Sequence, residues 1–165
     1  FARRSEYLSE NVSLERVFTG AQELLSTQLL DHQIMVNMDP SLKGTTVVGD
    51  AILVEQVLVN LLSNSCDAII ATGGKGEILI RKEKSTADQL VFSIIDTGIG
   101  LGNLEPERAF EPFVTTKDPS SGLGLGLSIS FNIITGMNGT LTLAARADVG
   151  TRATVTMPLG EKNDN

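Results

Sequence analysis

The sequence predicts an α+β fold, a two-layer α/β sandwich in which helices cover one face of a mixed, mostly antiparallel sheet. Two observations lead to this fold class. Stretches with helical spacing of apolar residues are separate from a run of stretches that alternate like strands, and this separation is typical of α+β domains. The chain has 165 residues, of which 41% are apolar, which suits one domain with a single core.

The first half of the chain is predicted to contain two helices and a strand. From Ser13, a suitable N-cap, apolar residues recur at helical spacing as far as Leu29. Residues 33–38 alternate like a strand and stop at an Asp-Pro pair. Residues 51–71 form the longest helical pattern, with one apolar stripe that a pair of glycines closes.

The second half is predicted to contain four strands and one helix. Residues 77–81 and 90–95 are predicted as paired strands around a polar turn. Residues 127–137 have helical spacing, and residues 140–145 and 152–157 are predicted as a closing hairpin.

The domain is expected to occupy residues 13–159. We expect residues 1–12 to be a linker from a preceding domain and residues 160–165 to be a polar tail. Much of the glycine and most of the proline lie between residues 97 and 125. A loop of that length inside a compact domain is usually functional or disordered.

The composition disfavours several classes of function. Thirteen basic and twenty acidic side chains give a net charge of −7, so we expect no general binding to nucleic acid, whose phosphates are held mainly by Lys and Arg. The single Cys66 cannot form an internal disulfide, and no apolar run reaches the roughly 18–20 residues of a membrane span. We therefore expect a cytoplasmic domain without direct membrane contact. Because the chain begins with Phe1, we also expect a fragment or processed product.

The long helical pattern carries polar side chains beside its apolar stripe. Asn60, Asn64 and Asp67 have the spacing i, i+4, i+7 and therefore share one flank of the helix. A solvated helix face is one explanation. Asn is a poor residue for a helix interior, however, and amide oxygens suit a hard cation that is already bound to phosphates and water. Both explanations stay open from this segment alone.

A carboxylate closes the strand predicted at residues 90–95. It belongs to Asp96 in the segment DTGIG, where Gly98 and Gly100 follow. Asp96 could cap its own turn, as Asp commonly does, or it could accept a hydrogen bond from the amino group of a ligand. In the second case the glycines would let a flat ring approach the main chain.

Three alternating glycines precede the helix predicted at residues 127–137, in the segment GLGLGLSIS, residues 122–130. They could form a flexible hinge, or a loop whose N–H groups hold phosphate oxygens together with the helix N-terminus. The segment is not a dinucleotide-binding fingerprint, because the spacing is GxGxG and no strand precedes it. It is not a P-loop either, because the chain contains no GxxxxGK[ST] segment.

Four segments in order carry a family resemblance: EQVLVNLLSNSCDAI (55–69), DTGIGL (96–101), FEPFVTTK (110–117) and GLGLGLSIS (122–130). They resemble the N, G1, F and G2 boxes of the ATP-binding catalytic domains of two-component sensor histidine kinases. Those domains share the Bergerat fold with gyrase, heat-shock chaperone and MutL ATPases. Within the family, the first and third segments are similar to kinases that sense C4-dicarboxylates or nitrogen status.

The resemblance implies a site for ATP and Mg²⁺. By position, Asn64 is the expected Mg²⁺ ligand, and Asn60 is expected to support the metal or its water shell. Asp96 is expected to bind the adenine amino group, and Thr151 to reach adenine through water. Lys117 is expected to reach the terminal phosphate and to complete the catalytic set with the two asparagines. The other expected nucleotide-binding residues line the adenine pocket or shape the phosphate loop: Gly98, Gly100, Gly122, Leu123, Gly124, Leu125 and Gly126.

The resemblance also implies a lid over the nucleotide. Phe110 and Phe113 are expected to anchor a lid at residues 114–125. The position of Asp67 often holds a basic residue in other branches of the family, so we expect no phosphate contact from this acidic side chain.

A kinase is implied rather than an ATPase. The gyrase and MutL branch uses a glutamate general base one helical turn before the metal asparagine, where this chain has Asn60. Because an amide cannot take a proton from water, we expect weak hydrolysis and transfer of the γ-phosphoryl group to a histidine nitrogen. The only histidine, His32, lacks the family's acceptor pattern and is expected to be a surface residue at a helix end.

The expected partners are therefore ATP, an upstream dimerisation domain with the acceptor histidine, and a response regulator. We expect this piece to be a monomer, and the whole protein to be a homodimer anchored in the inner membrane. Two alternatives stay open: an anti-sigma-factor type of serine protein kinase with the same fold, and a non-catalytic nucleotide-binding module.

Overall fold

The computed structural model describes residues 8–112 and 126–161 of the chain. Its helices and strands follow one another in this order: β1 (Glu10–Ser13), α1 (Leu14–Leu24), α2 (Ser26–Asp31), β2 (Ile34–Met38), β3 (Thr46–Gly49), α3 (Ala51–Ile70), β4 (Gly76–Lys82), β5 (Gln89–Asp96), α4 (Gly126–Gly136), β6 (Thr140–Ala145) and β7 (Thr151–Pro158). Two short 3-10 segments, Pro40–Leu42 and Pro106–Phe110, lie in the connections.

A five-stranded mixed sheet with the strand order β2-β4-β5-β7-β6 forms one layer. Strands β2 and β4 are parallel, and the other neighbours are antiparallel. The closing hairpin predicted from the sequence is the β6–β7 pair. The predicted fold class is confirmed.

The helices form the second layer, and the core lies between them and the sheet. The rings of Phe18 in α1 and Phe92 in β5 pack in a T-shaped arrangement, with 5.7 Å between the centroids. Among the helices of the described residues, α3 has the length and hydropathy to span a membrane, with 20 residues and a mean hydropathy of 1.2. Its apolar side chains pack within the core, as in the central helix of a folded domain: Val54, Val57, Leu58, Leu61, Leu62 and Ile69.

The domain extends beyond the boundaries expected from the sequence at both ends. Residues assigned to the linker form β1, which pairs antiparallel with β3, and Val12 is 2% exposed. Residues assigned to the tail also contact β3, because the Gly160 N–H donates to the Thr46 carbonyl at 2.9 Å. The packed unit described here therefore runs from Glu10 to Glu161.

The first predicted helix is divided in two. The apolar spacing continues from Ser13 to Leu29, but α1 ends at Leu24 and α2 begins at Ser26. The Leu25 N–H still donates to the carbonyls of Ala21 and Gln22. Periodicity of apolar residues cannot detect a break across which the apolar spacing continues, with Leu25 and Leu29 partly buried against the core.

Asp50 caps the N-terminus of α3, since its Oδ1 accepts the N–H groups of Ile52 at 3.1 Å and Leu53 at 3.4 Å. Replacing Asp50 with Ala is expected to lower the free energy of unfolding by about 0.5–2 kcal/mol. Urea unfolding checks this value. Asp50→Asn, which keeps the acceptor oxygen, is the matched control, and an equal loss in both variants would contradict the capping role.

Candidate functional site

The end of β5 places a carboxylate inside the protein. Asp96 is 4% exposed. Its Oδ1 accepts the main-chain N–H groups of Gly98 at 2.9 Å and of Thr151 at 3.3 Å. The first bond is the turn cap that the sequence analysis gave as one of two possible roles for Asp96. The second bond connects the end of β5 to the start of β7. The carboxyl group is thus held in one place by two main-chain donors.

Two side chains that the sequence analysis did not identify also contact Asp96. The Ser65 hydroxyl of α3 lies near its carboxyl group and lowers the pKa of that group. The Arg146 guanidinium, which follows β6, donates from Nη1 to the Asp96 main-chain oxygen at 3.0 Å. The sequence carried a signal for Ser65, because it is a polar residue inside the apolar stripe of α3. It carried no comparable signal for Arg146.

Burial raises the pKa of the Asp96 carboxyl above its usual range, because ionisation is costly away from water. The main-chain hydrogen bonds from Gly98 and Thr151, the nearby Ser65 hydroxyl and the charge of Arg146 lower the pKa and so act in the opposite direction. A carboxylate that is buried and surrounded by several donors is typical of a functional site.

The glycines around Asp96 allow close main-chain contacts. A Cβ atom on Gly98 would overlap Ala68 of α3, and one on Gly150 would overlap the Asp96 carbonyl oxygen. Gly100 and Gly150 have φ angles of +80° and +109°, which side-chain-bearing residues rarely adopt. The space beside Gly98 is thus filled by α3, so this glycine has a packing role that the sequence analysis did not anticipate.

The polar flank of α3 forms side-chain hydrogen bonds with two other helices, α4 and α2. The Asn60 Nδ2 donates to the Ser130 hydroxyl of α4 at 3.3 Å, and Ser130 is completely buried. The Gln28 Nε2 of α2 donates to Asp67 Oδ1 at 3.2 Å. Asn64 lies half-buried between them on the same flank. The flank is therefore not a purely solvated face.

Two groups of predicted site residues come together in the structure. One group contains Asp96 and Thr151, joined by a hydrogen bond, with Gly98 and Gly100 in the turn after β5. The other contains Asn60, Asn64 and Gly126, and Gly126 begins α4 beside Asn60. Helix α3 connects the two groups. The remaining predicted site residues lie outside the described residues: Lys117, Gly122, Leu123, Gly124 and Leu125. Phe113 and the expected lid at residues 114–125 also lie outside them.

A separate apolar cavity of about 650 Å³ lies between the 3-10 segment Pro106–Phe110, α4 and β6. Its wall includes Phe110 and Phe131, whose ring centroids are 5.1 Å apart. Of the predicted nucleotide-binding residues that the structure describes, none lines this cavity.

The donor set on α3 fits a magnesium ion that arrives with a nucleotide. The described residues contain no group of three or more His, Cys, Asp or Glu side chains that could hold a metal. Mg²⁺ usually keeps several water ligands and binds through one or two protein groups together with substrate phosphates. The side-chain oxygens of Asn60 and Asn64, on one helix flank, match that requirement.

Comparison with known proteins establishes the family. The sequence model of the histidine kinase-, DNA gyrase B- and HSP90-like ATPases matches residues 49–161. The chain belongs to this family. Two-component sensor PprA of Pseudomonas aeruginosa is 35% identical over 162 residues, which are 96% of this chain and 18% of PprA. C4-dicarboxylate transport sensor DctB of Rhizobium meliloti is 33% identical over 141 residues, 86% of this chain and 22% of DctB. The chain thus spans about a fifth of the length of these two relatives.

Solved structures of histidine kinases share the fold of this ATPase-family domain. The catalytic domain of histidine kinase ThkA has a TM-score of 0.74 at 27% identity, over 92% of this chain and 97% of that domain. The solved chain of the mycobacterial sensor histidine kinase MprB has a TM-score of 0.77 at 22% identity, over 92% of this chain and 98% of that chain. At this identity the likeness shows the fold alone. The histidine kinase resemblance predicted from the four segments is confirmed.

Proposed function

We propose that this chain binds Mg–ATP beside α3, at the end of β5 and the start of α4. In the whole protein it would transfer the γ-phosphoryl group to a histidine of an upstream dimerisation domain, for relay to a response regulator. The single observation that carries the proposal is the Asp96 carboxyl group, which is buried and fixed by main-chain donors that both use Oδ1. Oδ2 is then the oxygen for a ligand.

Asp96 suits recognition of adenine. An ionised carboxylate only accepts hydrogen bonds, so it pairs with the 6-amino group of adenine and disfavours a 6-oxo purine. The turn that contains Gly98 and Gly100 would lie along the base. Thr151, whose main chain already contacts Asp96, would reach the base through water.

The middle of α3, together with the start of α4, suits the phosphates. Gly126 begins α4, an eleven-residue helix whose N-terminal N–H groups and dipole favour anions. Asn64 and Asn60 would hold Mg²⁺ or its water shell, and Lys117 with residues 122–125 would complete the phosphate contacts. When bound, Mg²⁺ would neutralise charge on the phosphates. Phosphoryl transfer depends mainly on such positioning and charge compensation.

Transfer to a partner domain is favoured over hydrolysis. Asn60 stands where the hydrolysing branch has a general base, and its Nδ2 is hydrogen-bonded to Ser130. His32 is exposed at the end of α2. A full-length ShkA structure contains AMPPNP, and ThkA has been solved with the response regulator TrrA. The contents of those two structures support our proposals that this chain binds a nucleotide and that the whole protein acts with a response regulator. We also propose that the whole protein is a homodimer with a membrane anchor.

Replacing Asn64 with Ala is expected to weaken Mg²⁺-dependent ATP binding by at least about tenfold, or about 1.4 kcal/mol, because the metal loses a protein ligand. Calorimetric titration of ATP with and without Mg²⁺ measures this loss. Asn37→Ala, at an exposed position of β2, is the matched control. Equal affinity of wild type and Asn64→Ala in Mg²⁺ would contradict the assignment.

The transfer reaction is tested with labelled ATP and the whole protein. Acid-labile, alkali-stable phosphate on the protein supports histidine as the acceptor. Acid-stable phosphate on a serine of a partner protein would instead support a kinase of the anti-sigma-factor type. ATP binding without transfer to the histidine domain would support a non-catalytic nucleotide-binding module.

A further inference from the structure

Ser130 is a polar residue on the buried side of α4. It is completely buried, and Ile133 and Ile134 of the same helix belong to the hydrophobic core. A hydroxyl group in such surroundings costs free energy unless it forms a hydrogen bond. Its partner on α3 is Asn60, whose Nδ2 donates to the Ser130 hydroxyl oxygen at 3.3 Å. This bond connects the two helices that contribute to the proposed phosphate site.

The bond decides which way the Asn60 amide group faces. An Asn side chain presents a donor, the NH₂ group, on one side and an acceptor, the carbonyl oxygen, on the other. The terminal torsion of such a side chain is broad and roughly two-fold, so an amide without a fixed partner can exchange the positions of its nitrogen and oxygen. Because Nδ2 is directed at Ser130, Oδ1 points away from it.

Only one of these two orientations of Asn60 suits a metal ion. Asn60 lies beside the start of α4, where a Cβ atom on Gly126 would be 4.0 Å from the Asn60 Cγ, and Asn64 follows one helical turn later on the same flank. Mg²⁺ takes oxygen ligands and keeps several of its waters, and those waters donate hydrogen bonds. The amide oxygen can therefore serve the metal or its water shell, whereas the NH₂ group can serve neither.

We propose that Ser130 is a positioning residue for the metal, which accepts from Asn60 Nδ2 and thereby keeps Asn60 Oδ1 available to Mg²⁺ or its water shell. This inference rests on the proposed Mg–ATP site. Ser130 acts through Asn60 and does not itself contact the metal or the nucleotide. Its complete burial agrees with such an indirect role.

The test measures ATP affinity in Mg²⁺ and in EDTA for Ser130→Ala, Asn60→Ala and the double variant. The ratio of the two affinities reports on the metal. Ser130→Ala is expected to lower this ratio by roughly two- to tenfold, the loss of one hydrogen bond, with little change of the affinity in EDTA. In the Asn60→Ala background, Ser130→Ala is expected to cause no further change, because the two residues act as one unit and their effects are not additive.

Ser93→Ala is the matched control for the loss of a buried hydroxyl group. Ser93 in β5 is also completely buried, and its hydroxyl oxygen lies 3.0 Å from that of Thr154. This variant is expected to keep the wild-type ratio. Thermal unfolding shows whether each variant is folded, and α4 should be retained in Ser130→Ala because Ala favours a helix more than Ser does.

The outcomes separate the inference from the function on which it rests. An unchanged ratio in Ser130→Ala, or equal losses of affinity in Mg²⁺ and in EDTA, would show a purely structural role and overturn the inference. A further fall of the ratio in the Asn60→Ala background would also overturn it, because Ser130 would then act independently of Asn60. If the wild-type domain binds ATP equally in Mg²⁺ and in EDTA, the proposed metal site fails. If it binds ATP in neither, the proposed ATP site fails.

Discussion

Asp96→Asn is expected to weaken ATP binding by about 1–3 kcal/mol, roughly 5- to 150-fold in Kd, without unfolding the domain. The amide oxygen can still accept the N–H groups of Gly98 and Thr151. The new NH₂ group then takes the place of Oδ2 and faces the adenine amino group, so two donors oppose each other. The lost affinity follows from that mismatch inside a buried site.

The same substitution is expected to stabilise the empty domain at neutral pH. Burial raises the pKa of Asp96 above its unfolded value, so its contribution to stability is present below the unfolded pKa and is lost as pH rises through the folded pKa. At neutral pH the wild type therefore carries the cost of a buried charge that Asn lacks. The advantage of Asp96→Asn should shrink as the pH falls to about 4, near the pKa of an unfolded Asp.

Calorimetric titration and thermal unfolding between pH 4 and pH 7.5 measure both effects on the same protein. Asp31→Asn, at an exposed position at the end of α2, is the control for loss of one negative charge. Unchanged ATP affinity in Asp96→Asn would contradict the assignment of this residue to the base. A stability advantage that grows toward low pH would contradict the direction of its pKa.

Gly150→Ala is expected to have the largest effect on the fold, a loss of roughly 2–5 kcal/mol in the free energy of unfolding. Two costs add at this position. The residue has a φ of +109°, and its Cβ atom would overlap the Asp96 carbonyl oxygen and lie 3.3 Å from the Arg146 side chain. Relief of that overlap would separate β7 from the end of β5 and break the Thr151 bond to Asp96. ATP binding should therefore be lost together with stability.

Gly73→Ala separates the two costs. Gly73 also has a positive φ, +75°, but a Cβ atom there meets nothing within 4 Å. The loss in the free energy of unfolding of Gly73→Ala should therefore be limited to the cost of the positive φ, about 1–2 kcal/mol. Its ATP affinity should be retained. Denaturant unfolding of both variants gives the comparison. Similar losses in the two variants would mean that the close approach of Gly150 to Asp96 has no energetic importance.

Local patterns were sufficient for most of the fold. The helix at residues 51–71 and the hairpin at the chain end were predicted closely because each contains enough residues to show its own period. The β1–β3 pair was missed because each strand has four residues and its partner is more than thirty positions away. The break at Leu25 was missed because the apolar face continues across it.

In the candidate site, too, the sequence identified some residues and missed others. Asp96 and the α3 asparagines could be identified because the boxes that contain them occur in a recognisable order and spacing. The bonds from Arg146 to Asp96 and from Asn60 to Ser130 span 50 and 70 positions, and no spacing rule connects such residues.

The sequence by itself therefore determined the fold class, the family and the types of side chain expected around the proposed nucleotide. Those properties depend on the spacing of apolar residues within each segment and on the order of the motifs. Only the tertiary structure decided how the Asp96 carboxyl group is held and why Gly98 and Gly150 must lack side chains. Those properties depend on the packing of α3 and β7 against the end of β5, and distances between elements are set by the whole core rather than by any one segment.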